Sequence, residues 1–434
     1  MSFVTVRNKS PLSQPASVSD DHKVIAHYLL IYLMIAMGDS FLFDRALVHA
    51  CSLIAPAVLF CVIANRDTQY VYPLIILCLG FLSMLFVRST SNAMGPSEFL
   101  MWTAMICITV LAVAFDVANF LERLIRLSAV LVIISLIIYC ISQFIPAIWS
   151  HISLFSFPLS FGDDCWFDSY AKVTTYYQAH GLILYVDRGF EADRNVGIFR
   201  EPAVYQILLN SLVFVLLYMC PKVLEKRRNR LIALFVVAVL TTKSATGYLV
   251  TFFLIFSYAL GLKSHKVSTI APILLGLGLA FLLLVIFLED SSWVAGTVFG
   301  RFISDDGFAI DASGAARFGA AKTSLELMVK YPLGCGYDLY SDALNIERTG
   351  YVAACLLKVA AVYGLPFGLA VLLWVLFPVF SKSKLPVSAK FSFVVMYLMA
   401  TYFENEIFYT TLIFIPIYLY FVSVKSCQDK TNGE

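Results

Sequence analysis

Residues 194 to 202 read Arg194-Asn195-Val196-Gly197-Ile198-Phe199-Arg200-Glu201-Pro202, and an apolar run from Ala203 to about Cys220 follows directly. Arginine binds phosphate through a rigid planar fork of donors. A helix N-terminus adds unpaired N–H groups and the positive end of its dipole. Two guanidiniums (Arg194, Arg200), a carboxylate (Glu201) and a proline at the head of an apolar helix therefore suit an anion held at a bilayer surface.

A second polar segment carries related chemistry. The spacing predicts a helix over 313–331, with Phe318, Ala321, Leu325 and Met328 on one face and Arg317 and Lys322 in its more polar part. Tyr331-Pro332-Leu333-Gly334-Cys335-Gly336-Tyr337-Asp338 ends it, because Pro332 disfavours helical geometry before it and Gly334 and Gly336 permit a tight turn. An amphipathic helix outside the membrane-crossing runs lies along the membrane surface, which places Arg301 and Arg317 near headgroup level. Either arginine alone reads as a side chain snorkelling to ordinary lipid phosphates. Taken with Arg194 and Arg200, the set reads as a site.

The elements that must position these residues are apolar helices. A chain of 434 residues that is 60% hydrophobic and 14% charged, with a mean hydropathy of +0.82, exceeds what a soluble core absorbs. About twelve runs are long enough to cross hydrocarbon. They centre near residues 24–43, 46–64, 70–87, 98–115, 128–149, 203–220, 230–243, 245–262, 268–288, 351–379, 391–405 and 408–424. The tenth is interrupted by Gly364-Leu365-Pro366, which predicts a kink or a preceding surface helix. The expected fold is thus an all-α polytopic membrane protein. Residues 1–23 form a disordered cytoplasmic tail, 24–424 one membrane domain, and 425–434 a second cytoplasmic tail.

Lysine and arginine set the orientation. Lys222, Lys226, Arg227, Arg228 and Arg230 mark a cytoplasmic side, with Lys263, Lys266, Lys382, Lys384, Lys390, Arg123 and Arg126 on that same side. The large loops 150–201 and 289–350 then face outward. The first is aromatic and acidic (Asp163, Asp164, Trp166, Tyr170, Tyr176, Tyr177, Tyr185), which suits either sugar rings or a membrane-interface belt. A net charge of +2 gives no surplus for a nucleic-acid partner. Seven of the ten cysteines fall in or beside apolar runs and read as small core residues; a disulfide between Cys165 and Cys335 in the outward loops stays open. Asp39, Glu404 and Glu406 sit near predicted outer ends, whereas Lys358 lies deeper and calls for a neighbouring carboxylate or a functional role.

The order of these motifs resembles bacterial O-antigen polymerases and the wider O-antigen ligase/polymerase superfamily. The resemblance rests on Arg194-x-x-Gly197-x-Phe199-x-Glu201-Pro202, on Thr241-Thr242-Lys243-Ser244-Ala245-Thr246-Gly247 as a short outward turn, and on Arg317 followed by Tyr331 to Tyr337. It runs from Arg194 to about Val375. It implies a GT-C-type glycosyltransferase in a bacterial inner membrane, active on the periplasmic face. Such an enzyme transfers a growing glycan from undecaprenyl diphosphate onto the next lipid-linked repeat unit, with inversion and without metal or cofactor. Its partners are the lipid-linked donor and acceptor, the bilayer and a chain-length regulator. Arg200, Arg194, Glu201 and Arg317 become the catalytic candidates, and Arg301, Gly197, Gly334, Gly336, Tyr337, Asp338 and Arg348 the substrate-binding ones. Glu201, Asp311 and Asp338 are alternative bases, although so good a leaving group also works without one. Two departures stand out. Ligases of the superfamily carry a histidine late in the second loop, where this chain reads Asn345 to Tyr351 without one, and the distance from Arg317 to Gly334 breaks a strict arginine-to-glycine repeat. A ligase acting on lipid A core, and a flippase or other transporter, are the competing readings.

Overall fold

The computed structural model describes residues 18–38, 96–145, 147–149, 157–159, 177–180, 185–187, 194–199, 201–261, 312–346, 355–403 and 411–431. These residues are mostly helical. The runs expected near 46–64, 70–87 and 268–288 lie outside them, as do Asp39, Cys165, Glu404 and Glu406.

Helix α1 is Val18–Ala36, α2 is Pro96–Phe115 and α3 is Phe120–Phe144. Helix α1 starts at Val18, inside the segment expected as a tail. Helix α3 begins at Phe120 rather than near residue 128. Its first turns carry charges that interrupt the apolar run without breaking the helix: Arg126 pairs with Glu122 at 2.6 Å, and Arg123 with Asp116 at 3.1 Å. Asn119 closes the α2–α3 turn by donating through its side-chain amide to Asp116 at 2.8 Å. His27 of α1 is buried there, with Nε2 donating to the Ala112 carbonyl at 2.9 Å and Nδ1 accepting from Arg123.

A three-stranded antiparallel sheet of β1 (Phe157–Leu159), β2 (Tyr177–His180) and β3 (Tyr185–Asp187) occupies part of the first large loop, with Phe157 opposite Ala179 and Ala179 opposite Val186. It adds a small β element to the helical class, and β3 lies against α3.

Helix α4 (Pro202–Tyr218) is the most enclosed of the described helices. Every residue from Val204 to Leu217 is buried, as expected of a helix that is apolar all round. A basic elbow (3₁₀ turn Lys222–Arg227) leads into α5 (Arg228–Thr241), and α6 (Ala245–Gly261) follows. Helices α4 and α6 approach closely: a Cβ on Gly247 would sit 3.0 Å from Gln206 Cβ. Asn210 donates to Gln206 Oε1 at 2.9 Å and to the Gly247 carbonyl at 3.2 Å, and Thr251 donates to Asn210 Oδ1 at 2.6 Å. This buried polar seam is satisfied from within, which is what an apolar setting demands.

The second large loop holds α7 (Ala312–Lys330) and α8 (Tyr337–Ile346), followed by α9 (Cys355–Tyr363), α10 (Leu365–Phe377), α11 (Val387–Phe403) and α12 (Phe414–Thr431). The extent of α7 matches the expected helix, but its buried face differs. Ala320, Ala321, Thr323, Ser324 and Leu327 are buried, whereas Leu325 is 51% exposed. Small side chains let α7 sit close on α9, so size rather than hydropathy selects the face. The tenth run breaks at Gly364 and folds back far enough that a Cβ on Gly368 would come within 2.5 Å of Ala360 Cβ. Helix α12 continues to Thr431, through most of the expected C-terminal tail.

Among the described residues, α3 alone is long and apolar enough to cross a membrane, and α4 joined to Lys222–Thr241 passes the same test across a 108° bend. The remaining apolar helices with 10–17 qualifying residues include Thr246–Gly261, Leu365–Ser381 and Val387–Tyr402.

Candidate functional site

The segment 194–199 is tied to the α5–α6 turn through residues 46 and 48 positions apart, so the two motifs form one structure. Asn195 does most of the tying. Its backbone N–H donates to the Thr241 carbonyl at 2.9 Å, its Nδ2 donates to Thr241 Oγ1 at 3.0 Å, and its Oδ1 accepts from the Gly197 N–H at 3.0 Å. Arg194 Nε donates to the Thr242 carbonyl at 3.1 Å, which fixes the guanidinium beside Lys243 in sequence. Lys243 holds a left-handed backbone (φ 48°), uncommon for a residue with a Cβ, at the top of this turn. Arg194 and Lys243 are both half-buried, and Arg194 bonds to the residue preceding Lys243.

Gly197 explains why the loop can lie so close to the helix. Its φ is 59°, and a Cβ there would meet the Tyr205 ring at 3.0 Å. Tyr205 is the floor beneath the motif: Phe199 stacks on it at 5.8 Å, and its hydroxyl meets Ser135 Oγ of α3 at 2.7 Å. Glu201 is the N-cap of α4 in an extended conformation, with Pro202 at N1. Its carbonyl accepts from Tyr205 at 3.2 Å, but its carboxylate makes no capping bond to the first turn. The first turn of α4 offers amides and the positive dipole end, and the segment before it carries Arg194 and is bonded to the turn that carries Lys243, groups of a kind that suit an anion.

The second motif forms a separate turn stitched to the α9–α10 break. Cys335 N–H donates to the Ala361 carbonyl at 2.9 Å, Gly336 N–H to Val362 at 3.1 Å, and Leu365 N–H to Pro332 at 2.9 Å. Gly334 and Gly336 both carry positive φ within it. Tyr337 opens α8, and Asp338 is exposed in its first turn. Lys358 of α9 is only 2% exposed, and its Nζ lies 5.6 Å from the Tyr337 ring centroid. Tyr340 is buried below, its hydroxyl 3.1 Å from Ser324 Oγ of α7.

Among the expected site residues, Arg194, Gly197 and Glu201 come together at the head of α4, and Gly334, Gly336, Tyr337 and Asp338 come together at the second turn. Helix α11 packs against both α4 and α9. Arg317 lies on α7 by its backbone, while Arg200, Arg301, Asp311 and Arg348 lie outside the described residues. Tyr205 and Ser135 are structural members of the first cluster that the motif reading left out, while Asn195 and Lys243 stood in the quoted motifs without an assigned role. Lys243 had one available signal, being among the few cations on the outward short loops.

Cys335 is a free, buried thiol, which separates it from the disulfide left open above. Burial pushes it up to about 11, with its Sγ lying 3.3 Å from the Gly336 carbonyl. The thiolate is the reactive form, so maleimide labelling of Cys335 in the native protein should stay slow between about pH 7 and 9 and rise only on unfolding. Rapid native labelling near neutral pH would show the second turn to be open, and a need for reductant before labelling of the unfolded chain would show a disulfide.

Comparisons of the chain with protein-family models, with curated proteins and with solved structures find no match.

Proposed function

We propose that this chain is a multi-spanning glycan polymerase of a bacterial inner membrane, with about twelve crossing helices and both termini cytoplasmic. It takes a growing polysaccharide from its undecaprenyl diphosphate carrier and joins it to the next lipid-linked repeat unit on the periplasmic face. The observation that carries this reading is the junction of Arg194 with Thr242 at the head of α4. Two motifs of the resembling family, distant in sequence, are hydrogen-bonded to one another there.

The chemistry follows from the leaving group. As the sugar C1–O bond breaks, negative charge grows on the lipid diphosphate, and fixed cations and helix amides aimed at it lower the barrier. Arg194 and Lys243 supply part of that field, with Arg200 next to the same helix in sequence. The acceptor hydroxyl attacks the opposite face of the donor sugar, so the anomeric configuration inverts. Glu201, half-buried at the rim, is the carboxylate nearest in sequence for taking the hydroxyl proton.

The experiment is a gel of surface and lipid-linked glycan from cells lacking the gene. A single repeat unit on the acceptor, with the ladder gone, supports a polymerase. Long lipid-linked polymer left unattached would replace this reading with a ligase, and repeat units trapped on the cytoplasmic face with a flippase. An unchanged ladder would end it.

A further inference from the structure

The end of the bundle opposite Arg194 carries its own concentration of charge. Helix α4 has 17 residues, so its two ends stand about 25 Å apart. At the far end, Lys222, Lys226, Arg227, Arg228 and Arg230 line the elbow between α4 and α5, against the single carboxylate Glu225. Lys222, Lys226, Arg227 and Arg230 are exposed. A second basic turn, from Pro378 to the head of α11, holds Lys382, Lys384 and Lys390 and no carboxylate.

Side chains bring these distant segments to one place. Tyr218 at the end of α4 meets Ser392 of α11 at 3.2 Å, and Ser392 meets Ser257 of α6 at 2.6 Å. At the foot of α6, a Cβ on Gly261 would lie 2.9 Å from Ser388 Oγ. Arg228 lies 6.0 Å from the Tyr258 ring centroid, and the Tyr258 and Tyr218 rings are 5.4 Å apart. Lys390 donates to the Phe380 carbonyl at 3.0 Å. Large apolar side chains stand among these cations: Val223 is 64% exposed and Val387 82%. Cations interleaved with exposed apolar residues, at the foot of apolar helices, describe an interfacial element: the apolar groups enter the acyl boundary while the charges meet headgroups.

We propose that this elbow and the α10–α11 turn together form a binding surface for the headgroups of anionic phospholipids, in the leaflet opposite the Arg194 site. The inference rests on the bilayer reading given under Proposed function. Lysine and arginine near an anionic leaflet each strengthen association about fivefold, so removal of three exposed cations weakens it about a hundredfold.

The full-length protein, reconstituted into phosphatidylcholine bilayers, is titrated with a fluorescent phosphatidylglycerol and, separately, with phosphatidylcholine bearing the same label. The expected result is a preference for phosphatidylglycerol that falls about a hundredfold in Lys226→Gln/Arg227→Gln/Arg230→Gln and survives in the charge-preserving Lys226→Arg/Arg227→Lys/Arg230→Lys. Equal affinity of the wild-type protein for the two lipids overturns the proposal, as does an unchanged preference in the glutamine variant. Displacement of the lipid by millimolar soluble glycerol phosphate also overturns it, by making the patch a site for free anions. A protein that fails to float with the vesicles overturns the bilayer reading as well; one that floats but shows no preference overturns this inference alone.

Discussion

Arg194→Lys should lower the rate of polymer formation about ten- to a hundredfold while the protein still accumulates in the membrane at the wild-type level. The guanidinium already uses its Nε–H on the Thr242 carbonyl at 3.1 Å, which anchors it to the α5–α6 turn. A planar fork can hold that carbonyl and still direct its terminal N–H groups to a phosphate. An ammonium keeps the charge and loses the fixed geometry. One lost charged hydrogen bond to the transition state costs about 1.5–3 kcal/mol, and each 1.4 kcal/mol is about tenfold in rate. The check is a single-turnover assay with lipid-linked repeat units and purified protein. A wild-type rate in Arg194→Lys would remove Arg194 from the mechanism. Arg200→Lys, assayed in parallel, asks whether the second guanidinium of the motif works with the first.

The second large effect concerns the other turn. Gly364→Ala should release the Pro332–Gly336 segment from the α9–α10 break. Gly364 has φ 99° and ψ 149°, a region close to glycine-only, and a Cβ there would sit 2.7 Å from the Leu333 carbonyl carbon and oxygen. The backbone penalty alone is about 1–3 kcal/mol, and the neighbour in the way is main chain, which cannot rotate aside. Three backbone hydrogen bonds depend on that approach, from Cys335, Gly336 and Leu365. Hydrogen exchange at those amides should accelerate markedly, with the α4–α6 unit unaffected. Unchanged exchange would mean that the turn is held by something other than the Gly364 contact.

Much of the helical framework was legible because hydropathy and Pro or Gly punctuation report it directly. Pro202 and the run behind it located α4, Gly364-Leu365-Pro366 located the break, and Pro332 ended α7 within a residue of its observed end. What escaped has a common cause: it depends on pairing and on side-chain size. The buried face of α7 is built from Ala320, Thr323 and Ser324, which add little to an apolar pattern but allow close approach. Helix α8 buries Tyr340 and Leu344 amid polar residues and follows a turn that read as an ending. The partnership of Tyr205 with Gly197 and Ser135 joins three stretches that no local period relates. Lysine gives no hint that residue 243 turns left-handed; that conformation comes from the short closure between α5 and α6.

The shell around α4 bears on how the chain is made. Its foot is completed by Ser392, which is 174 residues beyond its partner Tyr218. Until Val387–Phe403 has emerged from the ribosome and docked, the most enclosed of the described helices stands with part of its flank uncovered. The polar seam of Gln206, Asn210 and Thr251, by contrast, closes as soon as α6 has been synthesised. Biogenesis is therefore staged: the α4–α6 unit can hold together early by hydrogen bonding, and the flank of α4 is covered only after Val387–Phe403 has been made and docked.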